Sequence, residues 1–139
     1  MKFVVAVLSI LGLFLPDGLA VAAGPECAKT LDTTASRARR TVGLLTAELK
    51  GMTTNPYAKN AISVCNGAVS RADQYYGKES AAKSVCIAGS EYVDKQIVHL
   101  YKAAVSTCRD EFTTQVQRLP SEEQTEISAR VAKKEAAIR

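Results

Sequence analysis

Four cysteines, Cys27, Cys65, Cys86 and Cys108, are the residues of this 139-residue sequence whose type and number most clearly indicate a chemistry. An even number of cysteines in a short exported chain is typical of disulfide bonds. A zinc site made of four cysteines normally takes its ligands from closely spaced pairs such as C-x-x-C, and no two cysteines are that close here. We therefore predict two disulfides and no metal ion.

The spacing also favours one pairing of the cysteines. Cys86 and Cys108 lie in one predicted helical segment, and unless that segment folds back they are too far apart to bond. If a helix ends at Gly77, Cys65 and Cys86 come to similar heights in an antiparallel hairpin. We therefore prefer Cys65 paired with Cys86, which leaves Cys27 paired with Cys108.

The remaining residues that could catalyse a reaction form no recognisable set. His99 is the single histidine, and helical geometry places neither Cys108 nor Asp94 where it could act with its ring. Glycines are scattered, so neither a G-x-G-x-x-G nor a G-x-x-x-x-G-K phosphate loop is present. We predict no catalytic residues and no cofactor, and we expect that the protein is not an enzyme.

Arg37, Arg39 and Arg40 form the strongest cluster of charge. They could contact an acidic partner, although such a run is usually a solvated helix face. The formal net charge of +4 is mild and lacks the concentrated basic footprint of a nucleic-acid-binding protein. We take the three arginines as a candidate interaction surface and expect no nucleic acid.

The amino-terminal residues resemble the three parts of a signal peptide. Lys2 provides the positive charge, and Phe3 to Leu15 is an apolar run. The small residues Ala20 and Ala22 fit a cut after Ala22, and Val21 with Ala23 fits a cut one residue later, which makes Gly24 the first residue of the mature chain. The run is shorter than the about 20 residues that a membrane-spanning helix needs. We predict a signal peptide over 1–23, no transmembrane span after cleavage, and a periplasmic or secreted protein.

Residues 24–139 are enough for a single domain. Their apolar positions repeat with helical period, and no alternating pattern of a strand occurs. The fold class is therefore predicted as all-α, a small helical bundle of four or five helices with two disulfides. The expected segments are Cys27 to Met52, a helix opening at Asn55-Pro56 and ending at Gly77, a segment over 80–119 that breaks at Gly89-Ser90, and a loosely packed helix over 121–139.

A rigid exported scaffold without a reactive cluster is best suited to surface recognition. We predict a binding protein, such as an inhibitor, an immunity factor or an accessory subunit, with a protein partner in the periplasm or extracellular space. The alternative is a carrier of a small apolar ligand held between the helices.

Overall fold

The computed structural model describes residues 24–52 and 55–138, and this part of the chain is an all-α bundle with two disulfides, as predicted. The predicted signal peptide over 1–23 lies outside the described residues. The helices are α1 (Gly24–Gly51), α2 (Ala58–Ala81), α3 (Glu91–Val116) and α4 (Ser121–Ile138). No helix among the described residues is both long enough and apolar enough to cross a bilayer.

The predicted apolar stripes become the core. On α1 the buried residues recur every three or four positions, which places them on one face of the helix. Several are alanines, and short side chains allow neighbouring helices to approach closely. The buried hydrophobic residues of α1 are Cys27, Leu31, Ala35, Ala38, Val42, Leu45 and Leu49.

The three longer helices pack against one another, and α1 contacts all the others. The core has two parts along the bundle. One lies around Cys65, Cys108 and Phe112, near the end where α1 meets α2. The other lies around Cys27 and Tyr101, near the loop between α2 and α3.

Helix α4 packs against α1, and its buried residue is Val131, at 5% exposure. The half-buried Ile127 of α4 packs against the same part of the core, and charged pairs add further attachments. Arg130 and Lys134 approach the Glu48 carboxylate on α1 at 2.6 and 3.4 Å, and Glu135 accepts a hydrogen bond from Arg109 on α3 at 2.8 Å. Helix α4 is therefore held by two apolar residues and by charged pairs to α1 and α3.

The preferred disulfide pairing is wrong: Cys27 bonds Cys86, and Cys65 bonds Cys108. Helix α2 continues through Gly77 to Ala81, so the hairpin turns later than predicted. Cys86 therefore lies in the loop beyond α2, where it reaches Cys27 near the start of α1. Cys65 lies about as far from the end of α2 as Cys108 lies from the start of α3, so these two meet across the hairpin.

Lys83, not Gly77, terminates α2. Its φ of 55° is in the left-handed region, and its N–H donates to the Ser80 carbonyl at 3.0 Å. The N–H of Ser84 donates to the Glu79 carbonyl at 2.9 Å. These two bonds are those of a Schellman motif, in which glycine usually takes the place that Lys83 occupies. A helix does begin after the predicted break at Gly89-Ser90, since α3 starts at Glu91. The helix expected before that break, in the segment over 80–119, is wrong, because residues 82–90 form a loop.

Candidate functional site

Residues 82–90, which we call the Cys86 loop, join α2 to α3 in an unusual backbone conformation. Lys83, Cys86 and Gly89 have φ angles of 55°, 56° and 84°. Glycine adopts this left-handed region readily, whereas other residues are disfavoured there. Lys83 and Cys86 therefore need surroundings that hold them in place, and such positions concentrate at functional sites.

Cys86 is held from two sides. Its sulfur is bonded to that of Cys27, which is fully buried, and the two Cα atoms are 5.6 Å apart. Its backbone N–H donates to Oδ1 of Asp94 on α3 at 3.0 Å. The disulfide thus fixes the loop to α1, and the hydrogen bond fixes it to α3.

Asp94 and Ser90 complete this attachment from the buried side. The Asp94 side chain is 0% exposed and Ser90 is 4% exposed. Ile87 N–H donates to Ser90 Oγ at 2.9 Å, and that hydroxyl lies 2.6 Å from Asp94 Oδ2 and 2.7 Å from the Ile87 carbonyl. With a single proton, the hydroxyl donates to one of these two acceptors at a time. The side chains of the first turn of α3 therefore fix the loop backbone at both Cys86 and Ile87.

The loop presents apolar side chains to solvent. Ile87 is 49% exposed, and Tyr92, on the other side of Ser90 in sequence, is 78% exposed. The other exposed large hydrophobic residues among those described are Tyr57 and Val64, at the far end of the bundle and on α2. A rigid backbone and two exposed apolar side chains thus occur together in this region.

The sequence contained signals for this site that the cysteine argument did not use. Ser90 was expected to begin a helix, and Asp94 follows it by one helical turn. An acidic residue in the first turn of a helix is ordinarily assigned to the helix dipole. Here the carboxylate instead turns back to the loop, and only the three-dimensional position of Cys86 reveals its acceptor role.

The three arginines of the candidate interaction surface do not share one face. Arg39 donates two hydrogen bonds to Asp73 Oδ1 on α2, at 2.8 and 3.0 Å. Arg37 and Arg40 are exposed on a different side of α1, where both lie beside Ile138 at the end of α4. The structure therefore separates Arg39 from the other two.

Arg39 and Asp73 belong to a polar contact between three helices. The hydroxyl of Tyr101, a fully buried residue of α3, donates to Asp73 and accepts from Arg39. Burial alone would raise the pKa of Asp73, but hydrogen bonds from Arg39 and Tyr101 hold it below its usual value. Burial and the Asp73 carboxylate raise the pKa of the Tyr101 phenol. This contact fixes the relative positions of the helices.

A second tyrosine forms a similar bond nearby. The Tyr76 hydroxyl of α2 donates to Asp32 of α1 at 2.6 Å, and its ring packs edge-on against that of Tyr101. Burial, with the Asp32 carboxylate, raises the pKa of Tyr76 to about 12. Both phenols are therefore protonated hydrogen-bond donors at neutral pH.

Among the described residues, the group of side chains close enough to suggest metal binding is Cys27, Cys86 and Asp94, whose ligand atoms lie within 4.8 Å of one another. The two sulfurs are bonded to each other, so neither is the thiolate that a metal ion requires. His99 is exposed on α3 and is not among these residues.

The chain matches no protein family model, no curated protein and no solved structure.

Proposed function

We propose that this is an exported binding protein that recognises another protein through the Cys86 loop, with Ile87 entering an apolar pocket of the partner. The observation that carries the proposal is the left-handed Cys86, held by Cys27 and Asp94 directly beside the half-exposed Ile87. An inhibitor, an immunity factor and an accessory subunit all act through such a contact.

The rigidity of the loop supports this role. Binding normally costs about 0.5 to 1.5 kcal/mol for each flexible side chain that becomes ordered, besides the ordering of the backbone. A loop whose backbone is already held by a disulfide and by Asp94 avoids most of the backbone cost. Tyr92 adds a large, stiff aromatic side chain of the kind that contributes strongly to interfaces.

The two disulfides also support the proposed compartment. Disulfides persist in the periplasm and outside the cell, where thiols are not kept reduced. Together with the signal peptide predicted over 1–23, they favour export and a partner met after export. Amino-terminal sequencing of the protein from the periplasm or the medium should give Gly24 as the first residue.

The binding role can be tested with one substitution and a matched control. A photo-crosslinking amino acid at position 87 identifies the partner, which is then purified and its Kd measured. Ile87→Asp should weaken binding at least about 30-fold, because it places a charge in an apolar pocket. Val64→Asp changes a similarly exposed side chain on α2 and should leave the Kd within about twofold.

Either of two results would contradict the proposal. One is that no protein crosslinks at position 87 in the native host. The other is a purified partner whose Kd responds equally to the substitutions at Ile87 and Val64. Circular dichroism of both variants shows that the helices are intact before binding is compared.

A further inference from the structure

A groove between α1 and α3 is lined by none of the residues of the Cys86 loop and combines apolar with basic side chains. Its volume is about 300 Å³, at the lower end of the range for small-molecule sites. Its base is apolar and buried, formed by Ala38 and Tyr101, with the half-buried Val105 beside them. Thr34 and Thr41 line the wall on α1.

Two cations flank this groove, one from each helix. Arg37 on α1 and Lys102 on α3 both line it and are both exposed. Neither forms an ion pair with a carboxylate among the described residues, and no residue lining the groove is acidic. The groove therefore combines an apolar base with two cations that form no ion pair within the described part of the chain.

A second groove, between α1 and α2, provides an internal comparison. It is larger, at about 410 Å³, and it too contains an arginine, Arg39. There, however, the guanidinium is bonded to Asp73, which lines the same groove. The charge in that groove is already paired, so of these two grooves electrostatics favours an anion in the one flanked by Arg37 and Lys102.

We propose that the groove between α1 and α3 binds a small amphipathic anion, with an alkyl chain on Ala38 and Val105 and an acidic head between Arg37 and Lys102. This goes beyond protein recognition by the Cys86 loop and makes the alternative of a carrier more specific. The ligand carries a negative charge and lies in a surface groove.

Decanoate and decanol, which share a chain length and differ in charge, distinguish this proposal from non-specific hydrophobic binding. We would titrate each into the oxidised protein below micelle-forming concentrations and follow backbone amides by NMR. Decanoate should shift amides near Ala38 and Val105 in a saturable way, and decanol should bind about tenfold more weakly.

Variants assign the contribution of each cation. Arg37→Gln and Lys102→Gln should each weaken decanoate binding about two- to fivefold, the range of a partly exposed ion pair, with little change in decanol binding. Arg40→Gln removes a neighbouring arginine that does not line this groove and should have no effect. Ile87→Asp should also have no effect, which keeps this test separate from that of the Cys86 loop.

Three results would overturn the proposal. Equal affinities for decanoate and decanol would show that charge plays no part. Absence of saturable shifts in the groove would show that no such site exists. Shifts caused by an acidic peptide but not by decanoate would make the groove a contact for a protein.

Discussion

The two disulfides hold two different kinds of structure. Cys65 and Cys108 are both fully buried and join two regular helices across their packed faces. Cys27 is equally buried, but Cys86 is half-buried in a loop with a left-handed backbone. The same covalent bond thus serves as a staple within the core at one site and as the tether of a displayed loop at the other. Global stability and local order should therefore respond differently to their removal.

The largest expected effect follows from removing each disulfide. The bonds close loops of 43 and 59 residues, and the chain-entropy estimate gives about 4 kcal/mol for each because it depends on the logarithm of that length. We expect Cys65→Ala with Cys108→Ala, and Cys27→Ala with Cys86→Ala, to lower the free energy of unfolding by about this amount. Urea denaturation measures the loss.

Amide hydrogen exchange separates the two double variants. Without the Cys27–Cys86 bond, the amides of Cys86 and Ile87 should exchange much faster than complete unfolding of the variant allows. Without the Cys65–Cys108 bond, these amides should exchange no faster than complete unfolding of that variant allows. Equal loss of loop protection in both variants would mean that the loop is ordered only by overall stability. The comparison between staple and tether would then fail.

The next effect concerns Asp94, the buried acceptor that holds the loop from α3. Asp94→Ala leaves the Cys86 N–H without its acceptor, which should cost about 2 kcal/mol and expose the loop amides to exchange. Asp94→Asn keeps an acceptor oxygen, and its amide can donate to Ser90 while the Ser90 hydroxyl donates to the Ile87 carbonyl.

The asparagine variant is therefore the control for Asp94→Ala, and we expect it to stay within about 1 kcal/mol of the native protein. Both variants are compared by urea denaturation and by exchange at Cys86. A loss as large for asparagine as for alanine would show that the carboxylate charge matters more than the hydrogen bonds.

The periodicity of the sequence was enough to predict where the four helices lie, because burial of an apolar stripe depends on local spacing. It also predicted helix over most of 80–89, where the structure has the Cys86 loop. The break at Gly89-Ser90 was also predictable from residue type. The disulfide pairing was not, because it depended on where α2 ends. Gly77 was the obvious terminator, and the helix instead passes through it and stops at Lys83, a residue with no intrinsic preference for the left-handed conformation.

The candidate site was harder to predict than the fold for a related reason. Cys86 is bonded to Cys27, 59 residues away, and its N–H donates to Asp94, eight residues away, and neither contact follows from helical periodicity. Arg39 is a different case, since helical geometry alone places it on another side of α1 from Arg37. What the sequence could not show is that its charge is paired with Asp73 on α2. Local sequence predicts which residues are charged, but not which of those charges are already paired.

A smaller effect tests the backbone at the end of α2. Lys83→Gly places glycine where a Schellman motif prefers it, so strain in the folded state falls while the unfolded chain gains entropy. We expect a net gain of up to about 1 kcal/mol. Lys78→Gly, one turn earlier in regular helix, should instead lose about 0.5 to 1 kcal/mol. Thermal unfolding compares the two, and destabilisation by both would mean that the Lys83 side chain contributes more than its backbone strain.

The smallest effect concerns α4, whose Val131 packs in the part of the core that contains the Cys65–Cys108 bond. The hydrogen bond from Arg130 lowers the pKa of Glu48 below the 4.5 of the unfolded chain, against the opposing effect of burial. The stabilisation is therefore fully present above about pH 4.5 and is lost as the pH falls through the lower, folded value. We expect the NMR signal of Val131 to change on acidification as α4 loosens.

In Glu48→Gln, the NMR signal of Val131 should already be at pH 7 that of the loosened α4. Acidification should then change this signal much less than in the native protein. Glu122→Gln, which removes a carboxylate without an ion pair among the described residues, should behave as the native protein. Asp73 also has a lowered pKa, but it contacts Tyr101 in the other half of the core, so its titration should appear at Tyr101 and not at Val131. An acid transition at Val131 that persists unchanged in Glu48→Gln would show that α4 is held by its apolar contact and not by its charged edge.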